Sequence, residues 1–164
     1  MAKEFYVTIE GIKTGHFHGE SSQEALGNKI TCLKFFYEVA SPRDPATGMA
    51  TGKRQHKPIT ITKEWGAASP QIFHALASNE TLTSVLFEFM QTSPAGKEEV
   101  SYTIRLTGAT ISAFRQYIGN VEDFAYDATR DSRKLENVTF NFRTIEMKNI
   151  AAKTSAVDDL FNVA

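Results

Sequence analysis

Two groups of residues in this chain could do chemistry. His16, His18 and Glu20 alternate in Gly15-His16-Phe17-His18-Gly19-Glu20, so an extended backbone would place two imidazoles and a carboxylate on one face. That donor set suits zinc or iron. The common β-barrel metal signature, however, lets the acid follow the second histidine only after three or four residues, and those positions hold Ser22 and Gln23. The spacing therefore predicts a solvated, glycine-flanked loop without metal or other cofactor. A monomeric small-ligand or metal-binding β-barrel built on these three residues is the second reading. The other group is cationic: Lys53, Arg54, His56 and Lys57 lie in Thr51-Gly52-Lys53-Arg54-Gln55-His56-Lys57-Pro58. From Ser41 to Glu64, Arg43, Lys53, Arg54, Lys57 and Lys63 face only Asp44 and Glu64, a local charge of +3.

A nucleic-acid site would interleave aromatics with such cations on an open sheet face. No aromatic residue occurs between Ser41 and Lys57, so the stretch predicts a protein-contact arm or a solvated loop. The overall charge of −1 supplies no global attraction to nucleic acid or anionic membrane. No nucleophile elbow, glycine-rich phosphate loop or paired-cysteine motif occurs. Glu122, Asp123, Asp127 and Asp131 lack the spacing of a calcium-binding hand and predict a solvated acidic loop. Cys32 is the only cysteine, which excludes an intrachain disulfide and predicts a buried, inert thiol. His74 falls off the apolar stripe of its segment and predicts a surface position. These residues predict no catalytic activity.

The elements that must hold these residues are almost all strands. Phe5, Val7 and Ile9 alternate with Tyr6, Thr8 and Glu10. Ile59 and Ile61 alternate with threonines, and Val85, Phe87 and Phe89 continue the pattern, as do residues 100–107 and 109–118. Leu135 to Met147 reads as the longest strand, and Lys29 to Val39 as one strand apolar on both faces, with Phe35 and Phe36 on opposite sides. One face of that strand must meet the core and the other the helix or a neighbouring subunit. Only one segment has helical spacing: Ser69 as N-cap, Pro70 in the first turn, then Ile72, Phe73, Leu76 and Ala77, a helix over about 70–79. Residues 151–164 predict a frayed helix or docked tail. At 164 residues the whole chain, 1–164, fits a single domain with one core.

Many short strands with one helix predict a mainly β fold, a compact antiparallel β-barrel of two packed sheets with a short α-helix. The loop over about 41–57 is long for such a fold, carries Pro42, Pro45, Gly48 and Gly52, and has few apolar residues to hold it down. Open sheet edges favour completion by another chain. No run of about 18 apolar residues is present, so membrane insertion is not expected, and Met1-Ala2-Lys3-Glu4-Phe5 lacks the apolar stretch of a cleaved leader.

The chain resembles the haemolysin-coregulated proteins of type VI secretion systems over nearly its full length. The resemblance rests on Phe5-Tyr6-Val7-Thr8-Ile9-Glu10-Gly11 with Gly19-Glu20-Ser21, on Gly52-Lys53-Arg54-Gln55-His56-Lys57-Pro58-Ile59 with Thr62-Lys63, on Ala68-Ser69-Pro70, and on Leu135-Glu136-Asn137-Val138-Thr139-Phe140. It departs from many relatives between Gly11 and Gly19, where Ile12 to His18 lengthen the connection. The resemblance implies a fold similar to phage tail-tube proteins. It also implies a structural role: a homo-hexameric ring, stacked into a tube, partnered by a spike protein, a contractile sheath and effector proteins. Such a protein is made in the cytoplasm and secreted by the type VI system without a cleaved signal peptide. Subunit contacts are expected at Arg43, Thr51, Lys53, Arg54, His56 and Lys57 of the arm and at Phe35 and Phe36.

Overall fold

The computed structural model describes residues 5–21, 27–118 and 133–161. The acidic residues Glu122, Asp123, Asp127 and Asp131 lie outside that range. The strands run β1 (Phe5–Gly11), β2 (Gly15–His16), β3 (Ile30–Cys32), β4 (Lys34–Phe36), β5 (Val39–Ala40), β6 (Gln55–His56), β7 (Ile59–Glu64), β8 (Leu82–Thr92), β9 (Glu98–Thr107), β10 (Thr110–Ile118), β11 (Lys134–Asn141), β12 (Thr144–Asn149) and β13 (Thr154–Asp159). The helix α1 spans Ser69–Ala77, between β7 and β8.

All described pairings are antiparallel. One sheet has the order β13-β12-β9-β8-β1-β2, with β3 also on β1; a second has the order β10-β11-β7-β4; β5 and β6 form a ribbon of their own. Among the described residues the fold is thus mainly β with one short helix, as the alternation predicts. The expected closure into a barrel is not seen: among the described residues the ladders form separate sheets. They are joined where the chain changes sheet. Leu33, between β3 and β4, donates its N–H to the Thr62 carbonyl, and Leu82 and Ala109 exchange two backbone bonds of 2.7 and 3.0 Å.

Those crossings correct two element boundaries. The expected strand Lys29 to Val39 is three short strands in three sheets, because the inward positions switch from even numbers (Ile30, Cys32) to odd (Phe35) across Leu33. The expected strand Leu135 to Met147 likewise divides at Phe142 and Arg143. Val138 and Phe140 point into the core from β11, and Ile145 does so from β12 in the other sheet. A one-residue slip turns every following side chain to the opposite face, so one unbroken strand could not bury both sets. The C-terminal segment is also corrected: residues 154–159 pair with β12 as a strand.

The core between the sheets is aromatic. Phe5 stacks on Phe89 at 4.9 Å, and Phe35 meets Phe5, Phe87 and Phe89 edge-on at 5.9, 5.3 and 5.3 Å. Phe87 continues to Phe140 at 5.9 Å. Burial of each ring contributes both transfer energy and oriented aromatic contact. Cys32 is fully buried in this core, and loss of solvation pushes its thiol well above the usual range, which keeps it inert.

The helix packs against β10. Its buried positions are Ser69, Ile72 and Ala75, spaced by three, whereas Phe73 of the expected stripe is 60% exposed. Phe36 is 59% exposed and packs on neither core nor helix. The two aromatic neighbours on β4 should therefore behave oppositely. Phe35→Ala is expected to cost about 3 kcal/mol of unfolding free energy, and Phe36→Ala no more than about 0.5 kcal/mol in the single subunit, both read from urea denaturation. Equal costs would contradict the assignment of faces.

Candidate functional site: a buried ionic frame and a clamped arm

His16, His18 and Glu20 do not converge. His16 Nε2 lies 3.0 Å from the Asn28 carbonyl, His18 Nδ1 lies 2.7 Å from the Gly19 carbonyl, and Glu20 turns inward to accept the Ala68 N–H at 2.8 Å. Among the described residues no group of three His, Cys, Asp or Glu side chains is placed to hold a metal ion. His74 is exposed.

Glu20 belongs to a different constellation. Lys63 on β7 is fully buried, and its Nζ lies 3.1 Å from Glu20 Oε1, 3.1 Å from Glu136 Oε2 on β11, and 2.8 Å from the Glu64 carbonyl. Ser69, at the start of α1, donates its hydroxyl to Glu136 Oε1 at 2.7 Å and accepts the Gly66 N–H at 3.0 Å. The helix is therefore not capped by Ser69, as its sequence suggests; Ala68 occupies the N-cap position without a side-chain bond, and the Ser69 hydroxyl serves the ion cluster instead. Burial of a lone ammonium is prohibitive, and two carboxylates plus hydroxyl and carbonyl acceptors satisfy this one.

The glycines beside the cluster are fixed by space. A Cβ on Gly66 would lie 2.4 Å from the Glu20 carboxylate, and one on Gly19 would lie 1.9 Å from the Gly27 carbonyl oxygen. A similar cradle lies at the β1–β2 turn, where buried Glu80 accepts the N–H groups of Lys13 and Thr14 and the Thr14 hydroxyl, and a Cβ on Gly11 would meet its carboxylate at 1.9 Å.

The arm is a structured ribbon. Val39 pairs with His56 and Ala40 with Gln55, Arg43 bridges Ala50, and the Thr51 N–H donates to the Pro42 carbonyl at 3.0 Å. A turn at Asp44–Met49 closes the tip, with Gly48 at φ +73, a conformation that suits glycine. Arg43 Nη1 reaches the Gly48 carbonyl at 3.5 Å; Lys53 is exposed; exposed Lys57 pairs with Glu38.

Arg54 and His56, expected as a free cationic surface, turn to their own chain. Arg54 donates through Nε and Nη2 to the two carboxylate oxygens of Asp158 on β13, at 2.6 and 2.7 Å, and through Nη2 to the Asp159 carbonyl at 2.8 Å. His56 Nε2 lies 2.6 Å from Asp158 Oδ2, and its Nδ1 lies 2.6 Å from the Tyr37 hydroxyl. A carboxylate only accepts, so the neutral ring serves both neighbours with the proton on Nε2 and the Tyr37 hydroxyl donating to Nδ1. Phe142 closes the base, edge-on to Tyr37 and His56 at 6.1 and 5.7 Å.

Lys63, counted in the sequence as part of the cationic stretch, sits in the core instead, and Arg54 and Lys57 are paired within the chain. The net local charge is therefore less available than a residue count suggests. Asp158, Tyr37 and Phe142 are the members that sequence reasoning missed. Asp158 lies 104 residues from Arg54, and no local spacing connects them.

Two antiparallel sheets, one capping helix and a projecting ribbon define a β-sandwich-type subunit whose distinctive features are surfaces. The sequence model of the family described as "Type VI secretion system effector, Hcp" matches residues 6–148. The "Major exported protein" of Pseudomonas aeruginosa is 36% identical over 168 residues, covering 97% of this chain and 96% of that protein. Among solved structures, one described as "Crystal structure of Hcp protein" superposes with a TM-score of 0.84 at 26% identity, over 96% of this chain and 99% of that one. The "Secreted protein Hcp3 from Pseudomonas aeruginosa" superposes with a TM-score of 0.77 at 31% identity, over 95% and 97%. The chain belongs to the Hcp family of type VI secretion proteins.

The ionic frame makes one stability prediction and the clamp one pH prediction. Lys63→Met leaves two carboxylates buried without their cation and should cost about 3–5 kcal/mol in denaturant unfolding. Glu136→Gln, which loses one accepting atom but leaves Glu20 to balance the ammonium, should cost less. An unchanged midpoint for Lys63→Met would refute the role of the cluster. The hydrogen bonds of Arg54, opposed by partial burial and aided by His56, hold the Asp158 carboxyl at about 2, below its ordinary 3.8. A depressed folded value means that the contribution of Asp158 is fully present above pH 4 and is lost as pH falls towards 2. The protection factor of the Thr51 amide, its exchange rate by NMR corrected for the intrinsic rate at each pH, should fall in that window before the core unfolds.

Proposed function

We propose that this chain is a tube subunit of a type VI secretion system. Six copies form a ring, rings stack into the inner tube, and the lumen carries effector proteins. The observation that carries the reading is the match to the Hcp family over residues 6–148, together with a relative that aligns end to end. The residues that carried the sequence resemblance support it. Glu20, Lys63, Ala68, Ser69 and Glu136, all within the stretches that carry the resemblance, meet in one buried cluster.

In this reading residues 1–164 act as one domain, and the two sheets complete a barrel. The protein is made in the cytoplasm and exported by the system without a cleaved signal peptide. Its partners are its own copies, a spike protein, a contractile sheath and effector proteins. As a structural subunit it carries no catalytic site and neither binds nucleic acid nor inserts into a membrane.

Subunit contacts fall on the arm, through Arg43, Thr51, Lys53 and Lys57 outwardly and Arg54 and His56 at its base, and on Phe36. Phe35 contributes from inside, holding β4 against the core. The exposure of Phe36 beside a ribbon too thin to be stable alone supports this assignment. Negative-stain microscopy of purified protein should show annular particles, and sedimentation velocity should show a discrete ring species. A monomer at all concentrations would sink the proposal. Lys53→Glu should reduce ring or stack populations without changing the melting temperature of the subunit, since Lys53 is exposed in the arm. The effect should shrink at high salt, where exposed charges are screened.

A further inference from the structure

The ribbon β5–β6 has two paired positions, one further bridge and almost no buried side chain of its own. A lone two-stranded ribbon is marginal in water. Its internal bonds define its shape but not its direction relative to the sheets. At its base, the only ion pairs that tie it to the large sheet among the described residues are those of Arg54 and His56, both made to Asp158. Three donor atoms converge on that one carboxylate, at 2.6, 2.6 and 2.7 Å, and the His56 side chain is only 6% exposed within the junction. Bidentate guanidinium–carboxylate pairing fixes orientation as well as distance. The nearby ionic pair is Arg143 with Asp159, at 3.8 Å, too far and too exposed to replace it.

We propose that Asp158 is the positioning residue of the arm: through Arg54 and His56 it makes the C-terminal strand β13 set the direction in which the ribbon projects. The coupling runs both ways. Among the described residues β13 is an edge strand that pairs with β12 alone, so the arm also fastens the strand that orients it. Loosening β13 frees the ribbon base, and loosening the ribbon removes the bonds of Arg54 and His56 from the end of β13. The consequence for assembly rests on the tube-subunit reading; the clamp itself does not.

The test separates the two. In single-subunit fractions, trypsin cleavage after Arg43 and Lys53 reports arm order, and sedimentation velocity of the full preparation reports assembly. Asp158→Ala should raise the rate of cleavage in the arm by about tenfold or more, as expected for loss of charge-assisted bonds when cleavage follows the open population. Arg54→Gln, which leaves β13 untouched and so guards against simple loss of the strand, should raise cleavage after Arg43 similarly. Exchange of the pair, Arg54→Asp with Asp158→Arg, should restore part of the protection, which a purely structural role for either residue would not. Unchanged cleavage in both single variants would overturn the proposal, as would increased cleavage spread evenly over the whole chain. Increased arm cleavage with undiminished rings and stacks would uphold the clamp and remove the arm from the assembly contact.

Discussion

Lys63 is the residue on which the remaining architecture depends. A fully buried ammonium must find anions, and the two it finds come from parts of the chain that share no local structure: Glu20 from the loop after β2, and Glu136 from β11. Ser69 adds the first turn of the helix and Gly66 the loop that leads to it. Register, helix entry and loop path are therefore specified together. If β11 slipped by one residue against β7, Glu136 would leave the cation and Val138 would leave the core. Replacing such a cluster by apolar side chains need not weaken a protein, whereas removing one member strands the others. Here Glu136 is the register partner of Lys63 across β11 and β7, so the ion pair and the strand alignment coincide.

The same cluster explains what was legible in the sequence. Period-two patterning identified most strands because their inward faces are mostly apolar, with Lys63 and Glu136 as the buried exceptions. The glycine, glutamate, lysine and serine motifs were visible as a family signature, although nothing local showed that they touch. The sheet changes at Leu33 and at Phe142–Arg143 were also written in the sequence, as switches in the parity of the apolar positions. Reading each apolar run as one strand concealed them, since a phase slip and a continued strand look alike until the face that each residue buries is known. The helix stripe was misplaced by a residue for a related reason: Phe73 fits the period, but the face against β10 takes Ser69, Ile72 and Ala75.

The arm clamp was illegible in principle. Arg54 and His56 are spaced like ordinary surface cations, and their partner enters from β13, a segment whose weak periodicity does not mark it as a strand. Long-range ion pairs leave no periodic trace. Asp158 and Asp159 simply end a short, largely exposed strand, and nothing in their neighbourhood points to Arg54.

The two ionic centres use the same chemistry at opposite exposures, and this divides their roles. Around Lys63, side-chain exposure is 0% for the lysine and Glu136 and 10% for Glu20, so salt and solvent reach the cluster little and its geometry is constant. At the clamp, Arg54 and Asp158 remain 25% and 35% exposed, close enough to water for ionic strength and acid to compete with the pair. A frame that must not vary is thus built from buried charge, and a projecting element from charge that solvent can reach. The ribbon beyond it has no core to resist bending. Under the proposed role of Asp158, a change at that carboxylate therefore acts at the ribbon base and on β13 together, while the buried frame around Lys63 lies elsewhere in the fold.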